Sequence, residues 1–210
     1  MKKNVLIVGA GNFAKIVHEY ILNTSEYKTG QWIIKGFLSS DADTDCLIPA
    51  EKLIGQVANY QPFQNDVFVC AYVKGDDRKS AVQIIEGKNG SFINIIHSLA
   101  DVASTAKMGN GNIIGAYATL SADTQIGDHN IVQNNANIGH DAVIGNYSHF
   151  YINAILCGMN NIGSNVSVFT GSIVYPKIKI EDNATIGAGS VVMRKVKNST
   201  TVLGNPAKEI

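Results

Sequence analysis

Hydrophobic positions in the second half of the chain recur with a period of six. Counting by sixes from Ile96 through Val102, Met108, Ile114 and onward to Val192, all seventeen positions hold Ile, Val, Leu, Met or Phe. With such residues at roughly a third of positions, chance yields that run less than about once in a million trials. Two residues earlier a small side chain often stands, as at Ala100, Ala106, Ala118, Ala136, Ala142, Ser148, Ala154, Ser172, Ala184 and Ser190; Val166 and Ile178 are exceptions. Gly often follows the aliphatic, as at Gly109, Gly127, Gly139, Gly145 and Gly163.

A helix has no period of six, and a half-buried strand alternates with a period of two. The pattern instead predicts a triangular solenoid. Each hexad is one short strand and one corner: the aliphatic fills the interior, the small residue lets the chain turn inward, and Gly or Asn accepts the turn's left-handed dihedrals. Three hexads make an 18-residue coil, and successive coils stack by parallel strand hydrogen bonds. No hexad is interrupted, so the reading covers residues 94–210 as one domain.

Residues 1–93 follow another pattern. A buried-strand run from Asn4 to Val8 leads into Gly9-Ala10-Gly11-Asn12-Phe13-Ala14 and a helical pattern through Leu22. Further strands are predicted at Trp32 to Leu38, Val67 to Tyr72 and Phe92 to Ile96. A helix starts at Asp76 or Asp77, either of which can cap it, and runs through Ile85. Strands alternating with helices predict a small parallel α/β sheet. The opening glycine turn matches a dinucleotide fingerprint with Ala in its third glycine place, where a phosphate approaches backbone donors at a helix start. The second strand ends in Ser39-Ser40 and lacks the acidic residue that holds a ribose, and the segment is too short for a full dinucleotide domain. A half-sized nucleotide-phosphate site is therefore favoured over NAD binding; a purely structural glycine turn is the alternative.

Composition narrows the classes further. Charged residues are only 16% of the chain, which argues against a disordered tail or coiled coil. Seventeen cations balance seventeen anions, so no global field draws in nucleic acid or an anionic membrane. No apolar run approaches a membrane span and no signal-peptide pattern opens the chain, so a cytoplasmic protein is expected. Only nine charged residues lie between Ile96 and Val192, which suits contact with other subunits. Cys46, Cys70 and Cys157 read as reduced, buried thiols, and no His, Cys or Asp cluster has metal-ligand spacing, so no metal is expected.

His140 is the leading chemical candidate. It occupies a corner, and Gly158 lies one 18-residue coil further on, stacked over it. Chemistry that passes through a tetrahedral oxyanion needs a base for the attacking group's proton and donors for the oxyanion. An imidazole supplies the first, and a backbone N–H at a residue without a side chain supplies the second. Asp141 adjoins the histidine and is placed to fix its tautomer or raise its basicity. His18 reads as a surface or packing residue, and His97 and His129 as solvated turn residues.

The combination of a half-Rossmann front and an unbroken hexapeptide solenoid resembles the bacterial sugar acetyltransferases of glycan pathways, of the PglD/NeuD type. The carriers are Gly9-Ala10-Gly11, Gly36-Phe37-Leu38, Leu53-Ile54-Gly55, His140-Asp141-Ala142-Val143-Ile144-Gly145, His149 and the tail Gly204-Asn205-Pro206-Ala207-Lys208. The resemblance implies an α/β N-terminal half-Rossmann domain followed by a left-handed parallel β-helix. It also implies acetyl-CoA as co-substrate, His140 as general base, Asp141 as its partner and His149 at the thioester. Acetyl-CoA would lie in a groove between solenoids of a homotrimer, along Gly158, Thr170, Ala188 and Lys208. A nucleotide-linked amino sugar would rest on Gly9, Gly11, Asn12, Phe13, Ser39, Ser40 and Gly55. The chain departs from common family residues at Gly139, Gln133, Ser39-Ser40 and Phe150-Tyr151. N-acetylation of a nucleotide-linked 4-amino-4,6-dideoxy sugar is the leading expectation. O-acetylation of a sugar hydroxyl and a non-catalytic nucleotide-sugar scaffold stand as alternatives.

Overall fold

The computed structural model describes residues 2–40 and 48–210, so Cys46 lies outside the described residues. The chain divides into two compact units, Met1–Ser98 and Leu99–Ile210.

The first unit is a five-stranded parallel sheet flanked by helices. Its elements are β1 (Lys3–Val8), α1 (Asn12–Leu22), α2 (Ser25–Lys28), β2 (Trp32–Ser39), β3 (Leu53–Gln56), β4 (Asp66–Cys70), α3 (Gly75–Glu86) and β5 (Ser91–Phe92). The sheet order is β3-β2-β1-β4-β5. Val5 to Val8 and Phe68 to Cys70 are buried because helices cover a parallel sheet, which explains their unbroken apolar runs. Chain order reverses between β1 and β4, and a crevice opens at the C-terminal ends of strands at such a switch point. Asp76 and Asp77 do not cap α3. Lys74 is the N-cap residue, and both aspartates sit in the first turn, where negative charge suits the helix dipole.

Asp66 pins the opposite end of this sheet. Its carboxylate accepts from Asn4 Nδ2 (3.0 Å), Tyr60 O–H (2.6 Å), Phe63 N–H (3.0 Å) and Lys35 Nζ (3.0 Å). Burial alone would raise this carboxyl, but hydrogen bonds from Tyr60, Asn4, the Phe63 backbone and Lys35 outweigh it and hold it below the usual range. Such a group stabilises the fold fully above its unfolded pKa, and the contribution disappears as pH falls through the lower, folded value. Asp66→Ala is expected to cost about 3 kcal/mol at neutral pH, since it strands a lysine and three donors. Urea midpoints measured from pH 7 downward check this: the gap between variant and wild type should close only in acid.

The second unit is the solenoid predicted from the period of six. Two-residue strands follow every six residues from Asp101–Val102 to Val191–Val192. Each pairs in parallel with the strand eighteen residues away, as Thr119 with Asn137 and Ile131 with His149. Val102 is half-buried and Met108 partly exposed at the first coil, whereas Ile114, Leu120, Val132, Ile138, Phe150, Leu156, Val168, Val174, Ile180 and Ile186 are fully buried. The result is a left-handed parallel β-helix, closed by a short antiparallel pair, Thr201–Gly204 with Ala207–Glu209.

The corners differ from the expectation in one respect. The left-handed residue is not the glycine after the aliphatic but the residue two places later: Gly111, Tyr117, Asp123, His129, Asn135, Asp141, Tyr147, Asn153 and so on to Gly189. The glycines directly after the aliphatic are required for close approach between coils. A Cβ on Gly139 would lie 2.6 Å from the Cys157 carbonyl carbon and 2.7 Å from Leu156 O. Among the described residues no helix is long and apolar enough to cross a membrane.

Candidate active site

His140 and Asp141 stand together on the corner that joins the strand Asn137–Ile138 to Val143–Ile144. Asp141 has φ 56°, the left-handed residue of its turn. Its Oδ2 accepts a 2.7 Å hydrogen bond from His140 Nδ1. A carboxylate only accepts, so Nδ1 carries the proton and Nε2 keeps its lone pair in the neutral ring. Both side chains are about half exposed, 55% and 54%.

The ring lies against Gly158 of the next coil. A Cβ there would sit 2.4 Å from His140 Nε2 and 2.7 Å from Cε1, so this ring position exists only because residue 158 has no side chain. Two backbone bonds seat Gly158: Met159 N–H donates to His140 O at 2.8 Å, and Lys177 N–H donates to Gly158 O at 3.1 Å.

The corner N–H groups here are paired differently from those of the neighbouring corner. On the neighbouring corner, the N–H two residues past each aliphatic donates to a side chain one coil on: Asn110 to Asp128, Asp128 to Asn146, Asn146 to Ser164 and Ser164 to Asp182. At the His140 corner the corresponding side chains belong to Gly158 and Pro176, which offer no acceptor. Among the described residues, the N–H groups of His140 and Gly158 therefore have no acceptor in the chain. Thr170 and Ala188 show the same feature at the third corner. Both are exposed, and Gly189 N–H donates to Thr170 O at 2.9 Å, which joins their coils. Lys208 is exposed on the closing strand pair.

His149 is placed differently. It lies on the face of the solenoid beyond the next corner, is only 1% exposed, and stacks on Tyr151 with ring centroids 3.7 Å apart. Tyr151 in turn stacks on Phe169 at 4.4 Å. Within one chain this aromatic pile covers the imidazole. The two histidines read as solvated are also buried. His129 is 3% exposed and stacks on Tyr147 at 5.1 Å, and His97 is 8% exposed with Tyr20 edge-on to it. Burial, aided by the charge of Lys28, holds the His97 imidazole below its usual pKa. His18 packs on Phe37, as expected of a packing residue. Cys70 is buried, but Cys157 is partly exposed, contrary to the reading of all thiols as buried.

In the first unit, the residues proposed for a nucleotide sugar cluster at the C-terminal ends of the strands. Gly9 adopts φ 113°, and Gly11 is the N-cap residue of α1 with open space where a Cβ would be and no side chain capping the helix. Asn12 is exposed at the first turn, while Phe13 is buried and faces the core. Ser39 and Ser40 are half-buried, and Gly55 pairs with Leu38 on the edge strand. Ser40 Oγ shares a 2.5 Å hydrogen bond with the Tyr72 hydroxyl, and a Cβ on Gly9 would lie 3.6 Å from the Tyr72 ring. The sequence reading singles out neither Tyr72 nor Arg78, which the fold brings beside these residues. The fully buried Arg78 guanidinium donates to Tyr72 O (2.6 Å) and Val73 O (2.9 Å), which fixes the loop after β4. The position of Tyr72 just past a strand end was the available signal. Among the described residues, no three His, Cys, Asp or Glu side chains gather where they could hold a metal ion.

Comparison with known proteins agrees with this architecture. Residues 161–194 match the family model described as bacterial transferase hexapeptide (six repeats). No curated protein sequence matches significantly. Among solved structures, the acetyltransferase domain of PglB from Neisseria gonorrhoeae, in complex with acetyl coenzyme A, superposes with a TM-score of 0.88 at 23% identity over 100% of both chains. PerB from Caulobacter crescentus, in complex with CoA and GDP-perosamine, gives 0.86 at 25% identity over 99% of this chain and 97% of that one. WeeI from Acinetobacter baumannii gives 0.69 at 17% identity over 100% of each.

Proposed function

We propose that this chain, a hexapeptide-repeat acyltransferase, transfers the acetyl group of acetyl-CoA to the amino group of a nucleotide-linked 4-amino-4,6-dideoxy sugar. The observation that carries the reading is the corner at His140: an imidazole with Nδ1 held by Asp141 at 2.7 Å, lying against a glycine whose N–H has no acceptor among the described residues. Base and oxyanion donor thus flank one exposed point on the solenoid. That PerB, similar over nearly its whole length, has been solved in complex with CoA and GDP-perosamine supports pairing a CoA thioester with a nucleotide-linked acceptor.

The amine lone pair attacks the thioester carbonyl, and Gly158 N–H receives the developing oxyanion. His140 Nε2 takes the proton that the nitrogen sheds, and collapse of the adduct releases CoA, whose thiolate recovers that proton from the imidazolium. The acetyl group passes directly, with no acyl-enzyme. Acetyl-CoA would lie along Thr170, Ala188 and Lys208 in a groove completed by a neighbouring chain of a homotrimer, with Tyr151 standing between it and the buried His149. The nucleotide would rest near Gly9, Gly11, Asn12, Ser39, Ser40 and Gly55, with Phe13 contributing backbone only. The phosphates would meet the uncapped start of α1.

Thiol release from acetyl-CoA, assayed against GDP-, UDP- and dTDP-linked 4-amino sugars and sialic acid, tests the proposal. Turnover with a nucleotide amino sugar is the expected result. Turnover with sialic acid alone would mean O-acetylation, and silence with no acetyl-CoA binding by calorimetry would mean a scaffold. Asp141→Asn, whose side chain also tolerates the left-handed backbone, is expected to lower kcat about tenfold without changing KM, a minor share of the 10²–10⁴ that general-base catalysis supplies. Steady-state kinetics of the purified variant check it.

A further inference from the structure

We propose that Asn160 is a positioning residue that aims the Gly158 N–H out of the solenoid toward the reacting carbonyl; the inference rests on the function proposed above. Along the solenoid, the carbonyl directly after each interior aliphatic recurrently accepts from a buried polar side chain fifteen residues earlier, in the coil below. Asn112 donates to Gly127 O, Thr124 to Gly139 O, Asn130 to Gly145 O and Ser148 to Gly163 O. The Cys157 carbonyl cannot be held this way, because the residue fifteen places before it is Ala142.

Asn160 takes over from within the same turn. It is 1% exposed, and its Nδ2 donates to Cys157 O at 2.7 Å. Its Oδ1 accepts from Ile178 N–H at 2.7 Å, and since an N–H can only donate, that bond settles which end of the carboxamide faces Cys157. The Cys157 oxygen and the Gly158 N–H belong to one peptide. A trans peptide is planar with its C=O and N–H antiparallel, so drawing the oxygen toward the buried Asn160 turns the Gly158 N–H the other way, outward. An oxyanion donor works by being aimed before the charge develops, and Asn160 supplies that preorganisation.

The solenoid itself offers the control substitutions. Ala142 and Ala106 occupy the equivalent position on the same corner, so Asn160→Ala suits the fold. Ser172 makes the same local bond, its Oγ donating to Phe169 O three residues back, where Ala154 leaves that carbonyl unheld from below. Asn160→Ser should therefore keep the bond that matters. The expected result is a roughly tenfold lower kcat in Asn160→Ala at unchanged KM for both substrates, with most of the rate restored in Asn160→Ser. Asn160→Asp, which keeps an acceptor for Ile178 but has no N–H for Cys157, should be as slow as the alanine variant. Wild-type kcat in Asn160→Ala or Asn160→Asp, or a serine variant as slow as alanine, overturns the inference while leaving the proposed function intact. A wild-type protein that acetylates nothing in the panel removes that function, and this inference with it.

Discussion

His140→Ala is expected to lower kcat by 10²-fold or more and to leave both KM for acetyl-CoA and the melting temperature almost unchanged. The ring is half exposed, and its polar contact is with a residue of its own turn, so its removal opens no core cavity. The backbone bond from Met159 to His140 O survives the substitution. What is lost is the proton acceptor at Nε2, worth about 10²–10⁴ in rate for general-base catalysis. The acceptor's chemistry sets where in that range the loss falls. A neutral amine attacks with its own lone pair and sheds a proton afterwards, which places the loss near the lower bound. A hydroxyl must give up its proton as it attacks, which moves the loss toward the upper one. Steady-state kinetics on the substrate found active measures the effect and reports on the attacking atom. A variant with wild-type kcat would exclude His140 as the base.

The solenoid was legible because each hexad sends one side chain inside, so interior aliphatics print their spacing directly on the chain. The coil length of eighteen follows, and with it the stacking of Gly158 on His140. The left-handed position was less legible. Tyr117, His129, Tyr147, Met159 and Lys177 occupy it beside the expected Gly and Asn. Stacked-coil hydrogen bonds override a local preference of about 1–2 kcal/mol per residue, so residue type marks the turn only weakly. Capping propensity places the start of α3 at Asp76 or Asp77 where Lys74 is the N-cap, because an acidic residue reads equally well as a cap or as a first-turn residue.

Within the site, the pairs adjacent in sequence or one coil apart were readable, and relations that depend on a third residue were not. His140 with Asp141 and His140 with Gly158 are of the first kind. The burial of His149 depends on Tyr151 two residues on and Phe169 one coil away, so neither its exposure nor its neighbours follow from its own place in the repeat. Asn160 acquires a distinct role only because Ala142 is silent below it. Tyr72 and Arg78 meet across the turn into α3, where period and composition carry no signal.

Gly158→Ala is expected to fold and to lose about 10²-fold in kcat, by displacing the base rather than by removing it. The new methyl would lie 2.4 Å from His140 Nε2, 2.7 Å from Cε1 and 2.9 Å from Cδ2. Those atoms are the tip of an exposed side chain, so the ring swings aside and the backbone keeps its place. Ala122 and His140 hold the same corner position in the two preceding coils, which shows that the turn accepts a Cβ. Gly139 differs in what an added methyl would meet, since it would lie 2.6 Å from the Cys157 carbonyl carbon and 2.7 Å from Gly158 N, backbone atoms rather than a flexible side-chain tip. A displacement of about 1 Å of a catalytic group is enough for a 10²-fold loss. The double variant separates the two parts that Gly158 plays. Its N–H survives the substitution to alanine, so once His140 is absent there is no ring left to displace. In a His140→Ala background, Gly158→Ala should therefore cost little further rate, and the two losses should fall well short of multiplying. Full multiplicativity would mean that the methyl harms oxyanion binding directly and that the fit between ring and glycine is incidental.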